Sequence, residues 1–387
     1  MKTLRLRDII ARSPLALLAV TLVAGCQGVD LTPTASGPDE DVYVVADSSS
    51  WNGIVGDALR SEIGGFVQTL PTPERAYKLI HRPLITERDL RDLKKKKNVI
   101  FVGALSDSST ESTFLRGAFS AEALAAVRNG GGAVVPRDDP WRRYQKVFYV
   151  AAETPELVAE TIEQNGQDML DALNEVSRTR LRKDMFEKAR QFDIEEKILD
   201  EHGFRVQIQH DYQIAIDTTD FIWLRRIISS DSWRSLFVYY IDGADPSHIS
   251  ADWVIAKRDS LARLYLQGNA GGWVEVDQRR PMEFKTIDFL DRYGLETRGL
   301  WQMVGPDESG DRVVQYGAGG PFLSYTFYDQ DSGRIYIIDG MVFAPGFSKR
   351  DFLRQLEVIA YTFKSKREAQ KSETANATAA LVMGAVR

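Results

Sequence analysis

Cysteine is nearly absent from this chain of 387 residues: there is one, Cys26, and there are only four histidines. A single thiol excludes an intramolecular disulfide, a cysteine-built zinc cage and a cysteine-ligated iron–sulfur cluster. His81, His202, His210 and His248 are scattered, none with a second histidine at helical or hairpin spacing, so neither a metal nor a cofactor is expected. Positive charge is not in surplus either. Lys and Arg total 49 against 55 Asp and Glu, a net charge of −6, which argues against a nucleic-acid partner. The phosphate loop Gly-x-x-x-x-Gly-Lys, the Gly-x-Ser-x-Gly elbow, Ser-x-x-Lys and His-Glu-x-x-His are all missing. Gly130-Gly131-Gly132 lacks the lysine of a phosphate cradle and reads as a loop.

What is present begins with Lys2, Arg5, Arg7 and Arg12, an apolar run from Leu15 to Val23, and Val23-Ala24-Gly25-Cys26. The run is shorter than the ~20 residues a membrane-spanning helix needs, so it reads as a cleaved signal over 1–25. The small residues before Cys26 resemble a lipobox, which implies lipidation of Cys26 and a membrane partner reached through an N-terminal lipid anchor. Two or three acyl chains hold almost permanently where one holds marginally. Cleavage removes four bases and Asp8 and leaves a mature chain of net charge −9, so attachment is expected from lipid and not from general adhesion to anionic surfaces. Gln27 stands where an Asp would signal inner-membrane retention, so the expected location is the cell envelope at the outer membrane.

With 43% hydrophobic and 10% aromatic residues, the remainder is long enough for two globular domains. Residues 26–41 read as a tether rich in Gly, Pro, Ser and acid. In 42–175, strand-like runs (Val42–Ala46, Ala76–Ile80, Val99–Ala104, Val147–Ala151) alternate with helical stretches, among them one capped by Thr154-Pro155, which predicts an α/β layer domain. Residues 176–203 read as a helical connector whose Arg178, Arg180, Arg182 and Lys183 form a solvated face. Residues 204–363 carry hairpin-spaced aromatic and β-branched strands, a helix over Trp253–Leu266 and a last helix over Lys349–Phe363. They predict an α+β domain, an antiparallel sheet covered by helices. Residues 364–387 read as a flexible tail. Asp329-Gln330-Asp331-Ser332-Gly333 lacks the third acid and the bidentate Glu of a calcium loop and reads as a hairpin turn.

Several runs taken in order resemble one family: Trp51-Asn52-Gly53, Asn98-Val99-Ile100-Phe101-Val102, Asp220-Phe221-Ile222-Trp223, Lys257-Arg258-Asp259, Arg298-Gly299-Leu300-Trp301, Gly319-Gly320-Pro321-Phe322, and Lys349-Arg350 with Arg354-Gln355-Leu356-Glu357. The family is the uncharacterised bacterial lipoprotein group called domain of unknown function 4837, and the resemblance covers most of 42–363. It implies a lipid-anchored envelope protein and supplies no catalytic residue. The second half is also similar in pattern to the PsbP/Mog-type α-β-α sandwich, used mostly as a binding or assembly module.

The expected role is therefore a non-catalytic binding or assembly module whose partner is an envelope protein or the cell wall. The alternatives are an envelope hydrolase acting on glycans through a carboxylate pair, or a small-molecule-binding lipoprotein. The proposed binding groove joins two loop ends, Arg298 to Trp301 and Gly319-Gly320 to Phe322, with Arg258 and Asp259 of the nearby helix. Two competing explanations stand beside it: the glycines as structural turns, and Arg258 as half of a buried ion pair pinning helix to sheet.

Overall fold

The computed structural model describes residues 32–384 apart from 130, 188, 230, 231, 269 and 270, so the signal, Cys26 and the first residues of the expected tether lie outside the described residues. The first half runs β1 (Asp41–Val45), α1 (Ser48–Asn52), α2 (Ile54–Glu62), β2 (Lys78–His81), α3 (Glu87–Leu93), β3 (Asn98–Ala104), α4 (Thr110–Ala118), α5 (Ala121–Arg128), β4 (Ala133–Asp138), β5 (Lys146–Ala152) and α6 (Pro155–Phe186). Side-chain oxygens of Asp47, Thr86, Ser109, Ser120 and Thr154 cap α1, α3, α4, α5 and α6, taking up amides that a helix start leaves unpaired. The strands lie in the order β2-β1-β3-β5-β4, all parallel except β4. Strand alternation splits their side chains between two cores. Val42, Val44, Ile100, Val102, Phe148 and Val150 pack under α2 and α6, while Tyr43, Val45, Val99, Phe101 and Val147 pack with Leu93, Leu115 and Val127 of α3, α4 and α5.

The second half continues with α7 (Phe192–His202), β6 (Phe204–Arg205), β7 (Gln213–Asp217), β8 (Phe221–Ser229), β9 (Ser232–Asp242), α8 (Ala251–Tyr265), β10 (Trp273–Val276), β11 (Glu283–Asp288), β12 (Tyr293–Pro306), β13 (Val313–Asp329), β14 (Arg334–Phe343), α9 (Arg350–Ala360), β15 (Lys364–Ser365) and α10 (Lys366–Gly384). An eight-stranded antiparallel sheet runs β10-β12-β13-β14-β9-β8-β7, with β11 also paired to β12. One face carries Leu236, Val238, Leu323, Tyr325, Phe327 and Ile338 against Leu353, Leu356 and Ile359 of α9; the other carries Phe237, Trp301, Phe322 and Ile337 against Ile255, Leu261 and Ala262 of α8. The chain is thus α+β, and its second half is an antiparallel sheet between helical layers.

Several boundaries fall elsewhere than the sequence suggested. The connector is not a separate element, because α6 continues unbroken to Phe186, packing Ile162 and Leu173 on the first sheet and Met185 in the second core. Arg180 is not on a solvated face. It is almost fully buried, donating to Asp39 Oδ1 at 3.2 Å, Asn98 Oδ1 at 3.0 Å, Tyr144 O at 2.7 Å and Lys97 O at 3.0 Å. The described end of the tether is docked as well, with Ala35 N–H donating to Arg143 O at 3.0 Å and Ser36 N–H to Lys95 O at 2.8 Å. The run from Phe204 to Gln209, strand-like in sequence, is a strand only as far as Arg205, because side chains then take the place of a neighbouring strand: Gln207 N–H donates to Thr362 Oγ1 at 2.7 Å and Ile208 N–H to Glu195 Oε1 at 2.9 Å. The expected tail begins with β15, paired to β6, and with α10, whose Ala369 is fully buried. Asp329 closes a β13–β14 turn by accepting from Ser332 N–H at 3.0 Å, with Gly333 at φ +66°.

Candidate functional site

A polar cleft opens where the two halves meet, between α6, α9 and the β11–β12 pair. Two adjoining hollows of about 400 and 520 Å³ share Asp171, Asn174, Lys285, Glu296, Arg298 and Glu357 in their walls. Helical spacing builds the two long walls: Asp171, Asn174 and Arg178 recur at i, i+3, i+7 on α6, and Arg354, Glu357 and Tyr361 do so on α9 and its end. The floor comes from strand alternation, since Glu296 and Arg298 lie two apart on β12 and share a face with Tyr325, the register partner of Glu296.

Glu357 is the centre. It is nearly buried, and its two oxygens accept from Arg178 Nη1 at 2.7 Å and Arg298 Nη2 at 3.2 Å. Arg298 also donates from Nε to Glu296 Oε1 at 2.6 Å, and the Arg178 guanidinium stacks 4.3 Å from the Tyr361 ring centroid. Burial pushes the Glu357 carboxyl up, but Arg298 and Arg178 outweigh it and hold the group below the usual carboxylate range. Burial raises the Tyr325 hydroxyl well above its ordinary value and pushes Tyr361 up to about 12, so neither phenol ionises at neutral pH. At the rim, Lys285 Nζ of β11 meets Asp171 of α6 at 2.7 Å, both side chains about half exposed.

Glycan hydrolysis needs one carboxylic acid kept protonated beside one carboxylate. Glu357, locked between two guanidinium groups, is the opposite of a proton donor, so it does not supply the acid of such a pair. The floor is a rigid set of compensated charges, and the rim is a weak solvent-exposed ion pair.

The groove foreseen from sequence is not assembled. Arg258 does reach Phe322, 3.9 Å from its ring centroid, but both are completely buried. Arg258 Nε donates to Asp339 Oδ2 at 2.8 Å, so it pins α8 to β14, the structural alternative weighed above. Asp259 accepts from Val276 N–H at 2.8 Å and ties α8 to β10. Trp301 is buried on the α8 side, donating from Nε1 to Val342 O at 3.2 Å, whereas Arg298, an odd number of residues away, projects to the α9 side. Gly319 and Gly320 lie inside β13 and not at a loop end, and a Cβ on Gly320 would stand 2.0 Å from Val342 O. Of the residues named for the groove, Arg298 alone lines the cleft. Cys26 lies outside the described residues.

A second cluster was hidden because Asp217 follows His202 by 15 residues, at neither helical nor hairpin spacing. His202 Nε2 lies 2.9 Å from Asp217 Oδ1, and the ligand atoms of Glu201, His202 and Asp217 fall within 4.8 Å of one another. The cation place there is already taken by Lys197, whose Nζ bonds Glu201 and also Asp217 Oδ2 at 2.5 Å. The set therefore fits an internal salt-bridge network better than a metal centre, which would have to displace the ammonium.

Residues 191–362 match the family model described as Domain of unknown function (DUF4837), and residues 35–186 match another, Domain of unknown function (DUF8532). The resemblance noted from sequence is thus carried by the second half, while Trp51-Asn52-Gly53 and Asn98 to Val102 fall in the span of the other model. None of the curated proteins matches. Among solved structures, the Saccharomyces cerevisiae Ran-binding protein Mog1p aligns at 9% identity, covering 42% of this chain and 90% of its own, with a TM-score of 0.28. A mutant of protein Mog1 gives 11% identity, the same coverages and a TM-score of 0.27. A Bacteroides thetaiotaomicron VPI-5482 protein gives 9% identity, coverages of 44% and 47%, and a TM-score of 0.23. No helix among the described residues is long and apolar enough to cross a membrane.

Proposed function

We propose that this chain is a lipid-anchored protein of the bacterial envelope, attached through Cys26, that binds a partner in the cleft between its halves without transforming it. The observation that carries this reading is the contrast between floor and rim. Glu357, Arg178, Arg298 and Glu296 neutralise one another in place, which leaves a rigid base with Glu357 locked as an anion, whereas Lys285 and Asp171 are paired where water already competes. Opening an exposed pair costs at most about 1 kcal/mol. It then presents one ammonium and one carboxylate above a closed floor, which suits a ligand with a carboxylate and an amine or amide at similar spacing. A peptide segment of an envelope protein or of the cell wall has that chemistry.

A photo-crosslinking residue in place of Lys285 should capture a discrete partner in the native host, and one in place of Leu264, exposed on the α8 side, should not. Equal capture from both positions, or none from either, rejects the cleft. The anchor is tested separately: Cys26→Ser should let a high-salt wash release the protein from the membrane, which the lipidated parent resists, and persistence in membranes after that wash rejects it.

A further inference from the structure

The acidity of the whole chain conceals a local reversal. Between Arg82 and Lys97 there are seven basic and three acidic residues, ending in Lys94-Lys95-Lys96-Lys97. Part of this follows from helix electrostatics, since cations after the last turn of α3 favour its C-terminus. Lys95 and Lys97 are further accounted for by ion pairs to Asp92 at 2.9 Å and Asp39 at 3.2 Å. Lys94 and Lys96 are not. Among the described residues neither has a carboxylate within ion-pair distance, although Asp41 and Asp92 lie near enough to feel Lys96; Lys94 Nζ lies 5.3 Å from the ring centroid of Trp141 and Lys96 Nζ 4.9 Å from that of Tyr43. Arg82 lines the same surface hollow as Lys96 and Tyr43, although Asp89 and Asp92 line it too. Beside Arg82, Ile85 is 76% exposed, the most exposed large aliphatic side chain on the described surface.

The second observation is where the chain enters. Ala35 and Ser36 are hydrogen-bonded to the backbones of Arg143 and Lys95, and Pro33 O accepts from Arg143 N–H at 3.1 Å, so the first described residues are fastened beside this patch. From Cys26 to Pro33 is seven residues, at most about 25 Å fully extended. Whatever Cys26 is fastened to therefore lies within that distance of Pro33, which is bonded beside the patch.

We propose that Arg82, Ile85, Lys94, Lys96 and Trp141 form a docking face for anionic lipid headgroups of the membrane that holds the anchor. The proposal rests on the lipid-anchor reading for its geometry. The ammonium groups of Lys94 and Lys96 meet headgroup phosphates, Ile85 enters the interface, and Trp141 sits at headgroup depth, where its ring is both apolar and polar. Lipid chains and a basic surface then act as two signals, and the acidic remainder of the body is kept off the bilayer, which fixes orientation.

The test uses the mature chain carrying Cys26→Ser, so that no acyl chain contributes, in co-sedimentation with vesicles. Binding is expected to phosphatidylethanolamine–phosphatidylglycerol vesicles, not to phosphatidylcholine vesicles, and is expected to vanish in about 0.5 M salt, where screening acts over a few ångströms. Each basic residue near such a surface is worth about fivefold, so Lys94→Glu with Lys96→Glu should weaken binding at least about tenfold. Ile85→Ser should weaken it less. Circular dichroism of both variants should match the parent. Equal binding to both vesicle types, no binding, or no loss in the double variant overturns the proposal, as does tighter binding to soluble polyphosphate than to the vesicles. Mass spectrometry of Cys26 in protein isolated from its host reports on the anchor independently, so the two failures are distinguishable.

Discussion

The carboxylate of Glu74, in the first half, accepts the backbone N–H of Lys349, in the second, at 2.9 Å, together with that of Arg350 at 3.0 Å. Helix α9 has no capping side chain of its own, so a residue 275 positions away supplies the cap. Arg350 Nη1 and Arg354 Nη2 return the contact by donating to Arg75 O at 2.9 Å and Ala76 O at 3.0 Å. Glu74→Ala should therefore cost about 1–2 kcal/mol, the usual loss of an N-cap, and should loosen the two halves relative to each other. Urea unfolding measures the first effect. Faster hydrogen exchange confined to the start of α9 and residues 74–77 measures the second, and exchange unchanged there would show that the cap does not couple the halves.

Arg258 and Asp339 are both fully buried, and burial raises the Asp339 carboxyl despite the attraction of Arg258. Arg258→Ala strands a buried carboxylate, so a loss of about 3–5 kcal/mol is expected. Arg258→Met combined with Asp339→Leu removes both charges and should recover much of it. A double variant no more stable than the single one would mean that packing around Phe322, and not the ion pair, sets the cost.

Chain removal from the C-terminus should show a sharp boundary. Deleting 364–387 removes the β15–β6 pairing, the Arg292–Glu368 ion pair at 2.7 Å and buried Ala369, and should lower the melting temperature by several degrees. Deleting only 375–387 should leave it within about 1 °C. Equal effects of the two deletions would contradict the packing described for the start of α10.

The layer architecture was legible because it rests on local periodicity. Val42, Val44, Ile100 and Val102 alternate as strands do, and Leu353, Leu356 and Ile359 recur as a helix does, whichever partner covers them. The cleft was not legible, since Arg178, Arg298 and Glu357 lie on three elements 59 to 179 residues apart and meet only through the packing of α6 on α9. One signal was available. Arg350, Arg354, Glu357 and Tyr361 form a polar stripe on a helix whose apolar face was already accounted for, and a second unexplained face marks a second interface. The assumed groove failed on parity: Arg298 and Trp301, three apart on one strand, must face opposite sides.

Glu357 supplies the sharpest pH test. Its carboxyl titrates below its unfolded value because Arg298 and Arg178 overcome burial, so its contribution is fully present above the unfolded pKa, near 4.5, and is lost as pH falls through the lower folded value. Glu357→Gln keeps the shape but leaves two guanidinium groups facing a neutral amide. At pH 7 the variant should be less stable by about 3 kcal/mol, the scale for removing one member of a buried pair. Below the unfolded value that difference should shrink, because the unfolded wild-type chain then takes up a proton that the folded carboxyl still refuses, while the variant has no group to titrate there. Urea midpoints at pH 7 and pH 3.5 decide the matter. A difference that stays constant with pH would mean that the two guanidinium groups do not lower the Glu357 carboxyl, and one that grows as pH falls would mean that the carboxyl is raised instead and has a proton to give.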